Sequence, residues 1–166
     1  MMLKSTLALL FFTNILTAVA DTTTGSVLHV SDGDTMTMLI SNRKKIIRLA
    51  NIDAPELDQP FGNIARLKLK SLIEGRTVTI TEHTTDKWGR VIGTVYLETR
   101  DINLEMISAG LAWHYKLFNR SQRLVDRMTY ESSEKSARKS RVGLWSDIDA
   151  VRPSDWRREK SDYTIK

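Results

Sequence analysis

The chain has 166 residues, enough for one domain with a substantial core, and its 41% hydrophobic and 27% charged residues exclude an intrinsically disordered protein. It has no cysteine, which excludes disulfide bonds, thiolate zinc sites, a cysteine nucleophile and an acylated lipoprotein anchor. Lysine and arginine outnumber aspartate and glutamate by 25 to 20, and the pI is about 9.6. This excess suits a polyanionic partner, although it would serve solubility equally well.

The first twenty residues have the features of an export signal. Lys4 precedes an apolar stretch, and Ala18-Val19-Ala20 is typical of a signal-peptidase cleavage site. An uncleaved membrane anchor is the alternative, but the stretch is shorter than the roughly 20 residues that a membrane span needs. We therefore expect residues 1–20 to be a signal peptide and the mature chain to begin at Asp21. The protein would then be exported, either to a periplasm or out of the cell, with no stable membrane association after cleavage.

Alternating apolar and polar residues dominate the next part of the chain. They predict β-strands over residues 25–30, 35–40, 44–50, 76–81 and 91–97. The polar turns Asp32-Gly33-Asp34 and Ser41-Asn42 separate the first three strands. Such short connections indicate a β-meander.

Helical patterns interrupt and follow these strands. An apolar stripe predicts a helix over residues 63–73. A second helix is predicted over residues 102–109, capped by Asp101 and ended by Gly110, and a longer basic helix over residues 121–139. Five strands with a helix between the third and fourth predict an α+β, mainly β fold: a five-stranded OB-type Greek-key barrel with about three helices. The predicted barrel domain covers residues 21–146, and residues 147–166 form a polar C-terminal tail.

Charged side chains lie at predicted turns and strand ends. Asp34 ends the first turn, Arg48 lies near the end of the third strand, Asp53 and Glu56 follow it, and Arg90 begins the fifth. In a small barrel these positions can meet at one rim, where the carboxylates would repel one another without a cation. Oxygen ligands with no histidine or cysteine nearby favour Ca²⁺ or Mg²⁺ over zinc, and guanidinium groups suit phosphate.

Each of these motifs also has a purely structural explanation. Asp-Gly-Asp is a common turn sequence. Arg48 could simply pair with Asp53 or Glu56, and residues 86–89 could form an ordinary hairpin loop. The joint occurrence of the motifs carries more weight than any one of them.

Together the motifs resemble the staphylococcal nuclease family. The resemblance rests on motifs that occur in the family's order and spacing: Asp32-Gly33-Asp34-Thr35, Ile47-Arg48-Leu49-x-x-Ile52-Asp53-x-Pro55-Glu56, Asp86-Lys87-Trp88-Gly89-Arg90, Ile102-Asn103-Leu104, Gly110-Leu111-Ala112-Trp113, Ala137-Arg138 and Gly143-Leu144-Trp145. It covers about residues 25–146. Pro153-x-x-Trp156-Arg157-Arg158 is similar to a terminal feature of short bacterial members.

The resemblance implies a role for each site residue. Asp34, Asp53 and the backbone carbonyl of Ala54 would be ligands of Ca²⁺. Glu56 would position or deprotonate the attacking water, and Arg48 and Arg90 would bind the phosphate and stabilise the charge that develops on it. Lys87 and Trp88 would lie beside the terminal phosphate and sugar of the bound strand. The chain departs from the family at Ala54, where members often have threonine, and in a shorter loop over residues 57–62.

The activity implied by the resemblance is Ca²⁺-dependent hydrolysis of phosphodiester bonds in DNA and RNA, leaving 3′-phosphates. We expect a monomer that prefers single-stranded or frayed nucleic acid, because a small groove accepts a splayed backbone more easily than a rigid duplex. The main alternative is a catalytically inactive OB-fold module that binds nucleic acid or protein. Degenerate domains of that kind lose carboxylates or arginines, whereas Asp34, Arg48, Asp53, Glu56 and Arg90 are all present here.

Overall fold

A computed structural model of the chain describes residues 22–116 and 122–164. The strands are β1 (Thr22–Val30), β2 (Thr35–Ile40), β3 (Arg43–Leu49), β4 (Ile52–Asp53), β5 (Thr77–Thr85), β6 (Val91–Leu97), β7 (Arg100–Asp101) and β8 (Trp113–His114). The helices are α1 (Gly62–Ile73), α2 (Ile102–Ser108), α3 (Leu124–Lys139) and α4 (Pro153–Thr164), with a 3₁₀ turn over Gly143–Ser146. The predicted signal peptide, Asp21 and the predicted start of the third helix at residue 121 lie outside the described residues.

Five long strands form a closed barrel. The hydrogen-bonded order is β3-β2-β1-β5-β6, and β3 returns to pair with β6. That last pairing is parallel and joins residues 47–49 of β3 to residues 91–93 of β6, which we call the closure seam. The other pairings between the long strands are antiparallel. The predicted OB-type barrel is therefore confirmed.

The predicted elements agree with the structure in type and nearly in length. β2 and β6 have the predicted bounds, and β1 and β5 are longer than predicted. Asp101 caps α2 by accepting a hydrogen bond from the backbone of Leu104 at 2.9 Å, and Gly110 follows with a positive φ of 65°. The described residues contain four helices, one more than the three predicted, because residues 153–164 of the C-terminal tail are helical. No helix within these residues has the length and apolar character required to cross a membrane.

The barrel interior is apolar, and one buried polar side chain ties it to the helices. Asn103, at the start of α2, is fully buried. Its side chain accepts a hydrogen bond from the backbone of Val95 at 3.1 Å and donates to the carbonyls of Ala50 at 2.9 Å and Gly93 at 3.3 Å. Asn103 thus satisfies buried backbone groups on both sides of the closure seam and fixes the chain where it leaves β3.

Candidate active site

The turn between β1 and β2 packs closely against the segment that follows β4. A Cβ atom on Gly33 would lie 2.6 Å from the Cβ of Ala54 and 2.7 Å from the Cβ of Ala65, so no larger residue fits here without displacing its neighbours. This close approach places Asp34 beside Ala54, whose backbone N–H donates to Oδ2 of Asp34 at 2.9 Å. The Asp-Gly-Asp sequence is therefore a turn whose glycine positions a carboxylate.

Arg48, near the end of β3, joins two buried carboxylates. Its Nη1 donates to Oδ1 of Asp34, and its Nη2 donates to Oδ1 of Asp53 at 2.8 Å. Asp34 and Asp53 are only 4% and 2% exposed. The structure thus brings these three residues together at one rim of the barrel. Of the two pairings considered for Arg48, the one with Asp53 is present.

The rim carries more negative charge than Arg48 balances. Burial, and then repulsion from Asp34, raise the pKa of Asp53 above its usual value, although nearby arginines oppose the shift. Burial disfavours the charge on Arg48, but the two carboxylates outweigh this effect and raise its pKa. Asp32 accepts the backbone N–H of Asp34 at 2.9 Å, and burial and repulsion from Asp34 raise the pKa of Asp32 to about 6. Such a site favours an additional cation.

Glu56 begins a short, tightly folded loop. Its backbone N–H donates to Oε1 of Gln59 at 3.1 Å, and its carbonyl accepts the N–H of Gln59 at 2.9 Å. Gly62 must be a glycine, because a Cβ there would come within 1.8 Å of the Glu56 carbonyl oxygen. These contacts fix the backbone of Glu56 close to the carboxylates of the rim.

Helix α4 also contributes to the rim. Nη1 of Arg157 donates to Oε1 of Glu56, and Nη2 donates to Oδ2 of Asp53 at 3.1 Å. Arg157 also donates to Oδ1 of Asp53 at 3.4 and 3.5 Å, so this oxygen is shared with Arg48. Arg157 is therefore the side chain that connects Asp53 to Glu56.

Arg90 lies across the closure seam from Arg48. Arg90 immediately precedes β6 and lies two residues before Ile92, which pairs with Arg48. The contacts of Arg90 are local: its Nε donates to Oδ2 of Asp86 at 2.7 Å, and its guanidinium carbon lies 5.1 Å from the centre of the Trp88 ring. Lys87 also approaches that ring, with Nζ 4.5 Å from its centre. The ring is 69% exposed and so is accessible to a ligand.

Comparison with known proteins assigns the chain to a family. The family model described as "Staphylococcal nuclease homologue" matches residues 46–147. The chain belongs to the staphylococcal nuclease family. It is 38% identical to a micrococcal nuclease of Shigella flexneri, over 84% of this chain and 83% of that protein. It is 35% identical to an uncharacterized endonuclease of Haemophilus influenzae, over 92% and 83% of the two chains. It is also 34% identical to a staphylococcal-like nuclease of Arabidopsis thaliana, over 71% of this chain and 35% of the plant protein.

The sequence motifs that resemble the staphylococcal nuclease family did not indicate every residue at the rim. Arg157 belongs to a terminal motif in the sequence, and its contact with Asp53 and Glu56 depends on a helix that the polar sequence does not predict. Asp32 belongs to the first turn, where the sequence does not distinguish it as a member of the rim. One feature of the sequence does indicate the helix that carries Arg157: proline is favoured as the first residue of a helix, and Pro153 begins α4.

The residues at the rim fit a hard cation. The two buried carboxylates of Asp34 and Asp53 repel each other, and the backbone of Ala54 lies directly beside them. Within the described ranges, no group of three or more histidine, cysteine, aspartate or glutamate side chains is arranged to hold a metal. Asp34 and Asp53 pair with Arg48 and Arg157, so a cation bound here would share or displace those contacts.

Proposed function

We propose that this member of the staphylococcal nuclease family is a Ca²⁺-dependent nuclease that hydrolyses phosphodiester bonds in DNA and RNA. The observation that carries the proposal is the single rim where Arg48 bridges Asp34 and Asp53 and where Glu56 is linked to Asp53 through Arg157. The similarity to a micrococcal nuclease and to endonucleases supports the same reaction.

Asp34, Asp53 and the carbonyl of Ala54 would hold the Ca²⁺. A Ca²⁺ ion held by these residues would supply Lewis-acid polarisation of the phosphate and offset its negative charge. Ala54 replaces the threonine that is frequent in the family, but the proposed ligand is a backbone oxygen, which alanine also has.

The chain's own side chains carry the remaining chemistry. Glu56 holds a water molecule by one carboxylate oxygen and accepts its proton as the water oxygen bonds to phosphorus. The bond from phosphorus to the 5′ oxygen breaks and that oxygen takes up a proton from solvent, so the products carry a 3′-phosphate and a 5′-hydroxyl. The guanidinium forks of Arg48 and Arg90 bind the equatorial oxygens and stabilise their growing charge.

The loop before β6 would bind the strand beside the reacting phosphate. Trp88 offers an exposed ring on which a base or sugar can stack, and Lys87 adds positive charge next to it. We propose that single-stranded or frayed nucleic acid is preferred, since its flexible backbone reaches the rim and this loop more easily than a rigid duplex does, and that the protein acts as a monomer.

A catalytically inactive binding module is the other candidate. Such a module needs neither Glu56 nor a pair of repelling carboxylates. Degenerate modules lose carboxylates or arginines, whereas Asp34, Arg48, Asp53, Glu56 and Arg90 are all present here, which favours an enzyme over a passive binding surface.

The proposed function predicts that the purified protein cleaves single-stranded DNA and RNA with Ca²⁺ and loses this activity when a chelator removes the metal. Frayed or single-stranded substrates should be cut faster than a stable duplex, because the duplex must first open. End-labelled oligonucleotides resolved on a gel measure the rate, and phosphatase treatment of the products identifies the 3′-phosphate. Binding of the oligonucleotides without Ca²⁺-dependent cleavage would instead support the inactive module.

We also propose that the protein is exported and that cleavage after Ala20 releases a mature chain beginning at Asp21. The apolar stretch and the Ala18-Val19-Ala20 sequence support this proposal. Intact-mass analysis of the protein from the periplasmic and culture fractions of its host should give the mass of residues 21–166. Recovery of the full-length chain from the membrane fraction would contradict it.

A further inference from the structure

Helix α4 is attached to the loop that carries Glu56. The side-chain amide of Gln59 donates to the carbonyl of Val151 at 2.6 Å, and Nε1 of Trp156 donates to Oδ1 of Asp58 at 3.2 Å. Asp58 also forms an ion pair with Lys160. These contacts hold the helix against residues 58–59, immediately after Glu56.

Arg157 projects from this attached helix to the rim. One nitrogen of its guanidinium contacts Oε1 of Glu56, and the other contacts Oδ2 of Asp53 at 3.1 Å. The Glu56 side chain is 35% exposed, and its carboxylate accepts the hydrogen bond from Arg157. Because Asp53 also holds this guanidinium, the single hydrogen bond to Glu56 comes from a fixed position and orients the Glu56 carboxylate.

From these contacts we infer that Arg157 is a positioning residue of the active site, which orients the Glu56 carboxylate and links it to Asp53. Arg157 uses Oε1 of Glu56, and the second carboxylate oxygen can accept a hydrogen bond from the attacking water. The C-terminal helix thereby completes the catalytic rim from outside the barrel. This inference rests on the proposed function, because it assigns Arg157 a role that acts through Glu56.

The alternative is that Arg157 inhibits the enzyme. Arg157 could act as an internal cation that competes with Ca²⁺ for Asp53. The structure favours positioning, because the same guanidinium also contacts Glu56 and because the helix is held by contacts with Asp53, Glu56 and Asp58.

The test compares Arg157→Ala and Arg157→Lys with the wild-type chain and with Arg158→Ala. Arg158 is a matched control, because it lies on the same helix and pairs only locally with Asp155 at 3.1 Å. For each variant we would measure melting temperature, Ca²⁺ affinity by calorimetry, and kcat and KM on a labelled single-stranded oligonucleotide.

We expect Arg157→Ala to lower kcat by about 10–100-fold with KM unchanged, the usual effect of losing a residue that orients a catalytic group. Arg157→Lys should recover part of this loss, and Arg158→Ala should match the wild type. Ca²⁺ should bind Arg157→Ala at least as tightly as the wild type, because a positive charge next to Asp53 is removed. A faster enzyme, a wild-type kcat in the folded variant or weaker Ca²⁺ binding would each overturn the assignment.

A double-mutant cycle with Glu56→Gln separates positioning from general stabilisation. If Arg157 acts through Glu56, then adding Arg157→Ala to Glu56→Gln should cause no further loss of kcat. An equal further loss in both backgrounds would overturn the inference. If the wild type shows no Ca²⁺-dependent cleavage, or Glu56→Gln does not reduce it, the proposed function itself fails. If Glu56→Gln is slow but Arg157→Ala is not, only the role of Arg157 fails.

Discussion

Replacing Arg48 with lysine is expected to lower kcat by about 10³–10⁵-fold, the contribution that comparable arginines make to phosphoryl transfer. Lysine keeps the positive charge but cannot make the two parallel hydrogen bonds of the guanidinium fork to phosphate oxygens. The same substitution at Arg90, across the closure seam, should also lower kcat by orders of magnitude. Cleavage rates at saturating Ca²⁺ and oligonucleotide, measured on folded protein, test both expectations.

A purely structural role for Arg48 predicts a different result. Because Arg48 bridges Asp34 and Asp53, a purely structural role would lower the melting temperature of Arg48→Lys and leave the specific activity of the folded fraction near normal. Arg100→Lys is the matched control, since Arg100 makes a two-point contact with Glu105, at 2.7 and 2.6 Å, on the exposed surface. Near wild-type turnover in folded Arg48→Lys would refute its catalytic role.

The second large effect is expected for Glu56→Gln, which should lower kcat by about 10²–10⁴-fold, the usual contribution of general acid–base catalysis. Glutamine retains the shape of glutamate but cannot accept the proton of the attacking water. Ca²⁺ affinity, measured by calorimetry, should persist, because Asp34 and Asp53 are unchanged.

Two further variants serve as comparisons for Glu56→Gln. Asp53→Asn should weaken Ca²⁺ binding together with activity, since a charged ligand is lost. Glu105→Gln, a carboxylate-to-amide change outside the rim, should leave both unaffected. If Glu56→Gln loses Ca²⁺ binding as well, Glu56 belongs to the metal site and its role as the base is wrong.

Local patterns were sufficient to predict the barrel from the sequence. Alternation in β2 and β6 gave their bounds, and the apolar stripe of α1 and the Asp101 cap of α2 identified both helices. The approach of Asp34, Arg48 and Asp53 was also predictable, because a turn and two strand ends of a small barrel share one rim. The catalytic and metal-binding roles of these residues stay predictions.

Long-range contacts could not be predicted in the same way. Helix α4 is strongly polar, so no apolar periodicity indicated it, and its contacts with the loop after Glu56 are mainly hydrogen bonds and ion pairs. The partner of Arg90 was also unforeseen: sequence motifs suggest a phosphate, whereas the structure pairs Arg90 with Asp86 in its own loop. Binding of a phosphate at Arg90 would therefore compete with that ion pair.

The closure seam also bears on how the enzyme folds. The hairpins of β1, β2 and β3 join neighbouring stretches of chain, whereas the seam pairs residues 47–49 with residues 91–93 and must first close the long intervening loop. Arg48 and Arg90 lie on opposite sides of that pairing. In a chain whose hairpins have formed but whose closure seam is still open, Asp34 lies beside Arg48, but Arg90 has not yet reached them. Recovery of activity during refolding therefore reports closure of the barrel, whereas circular dichroism also detects the earlier hairpins.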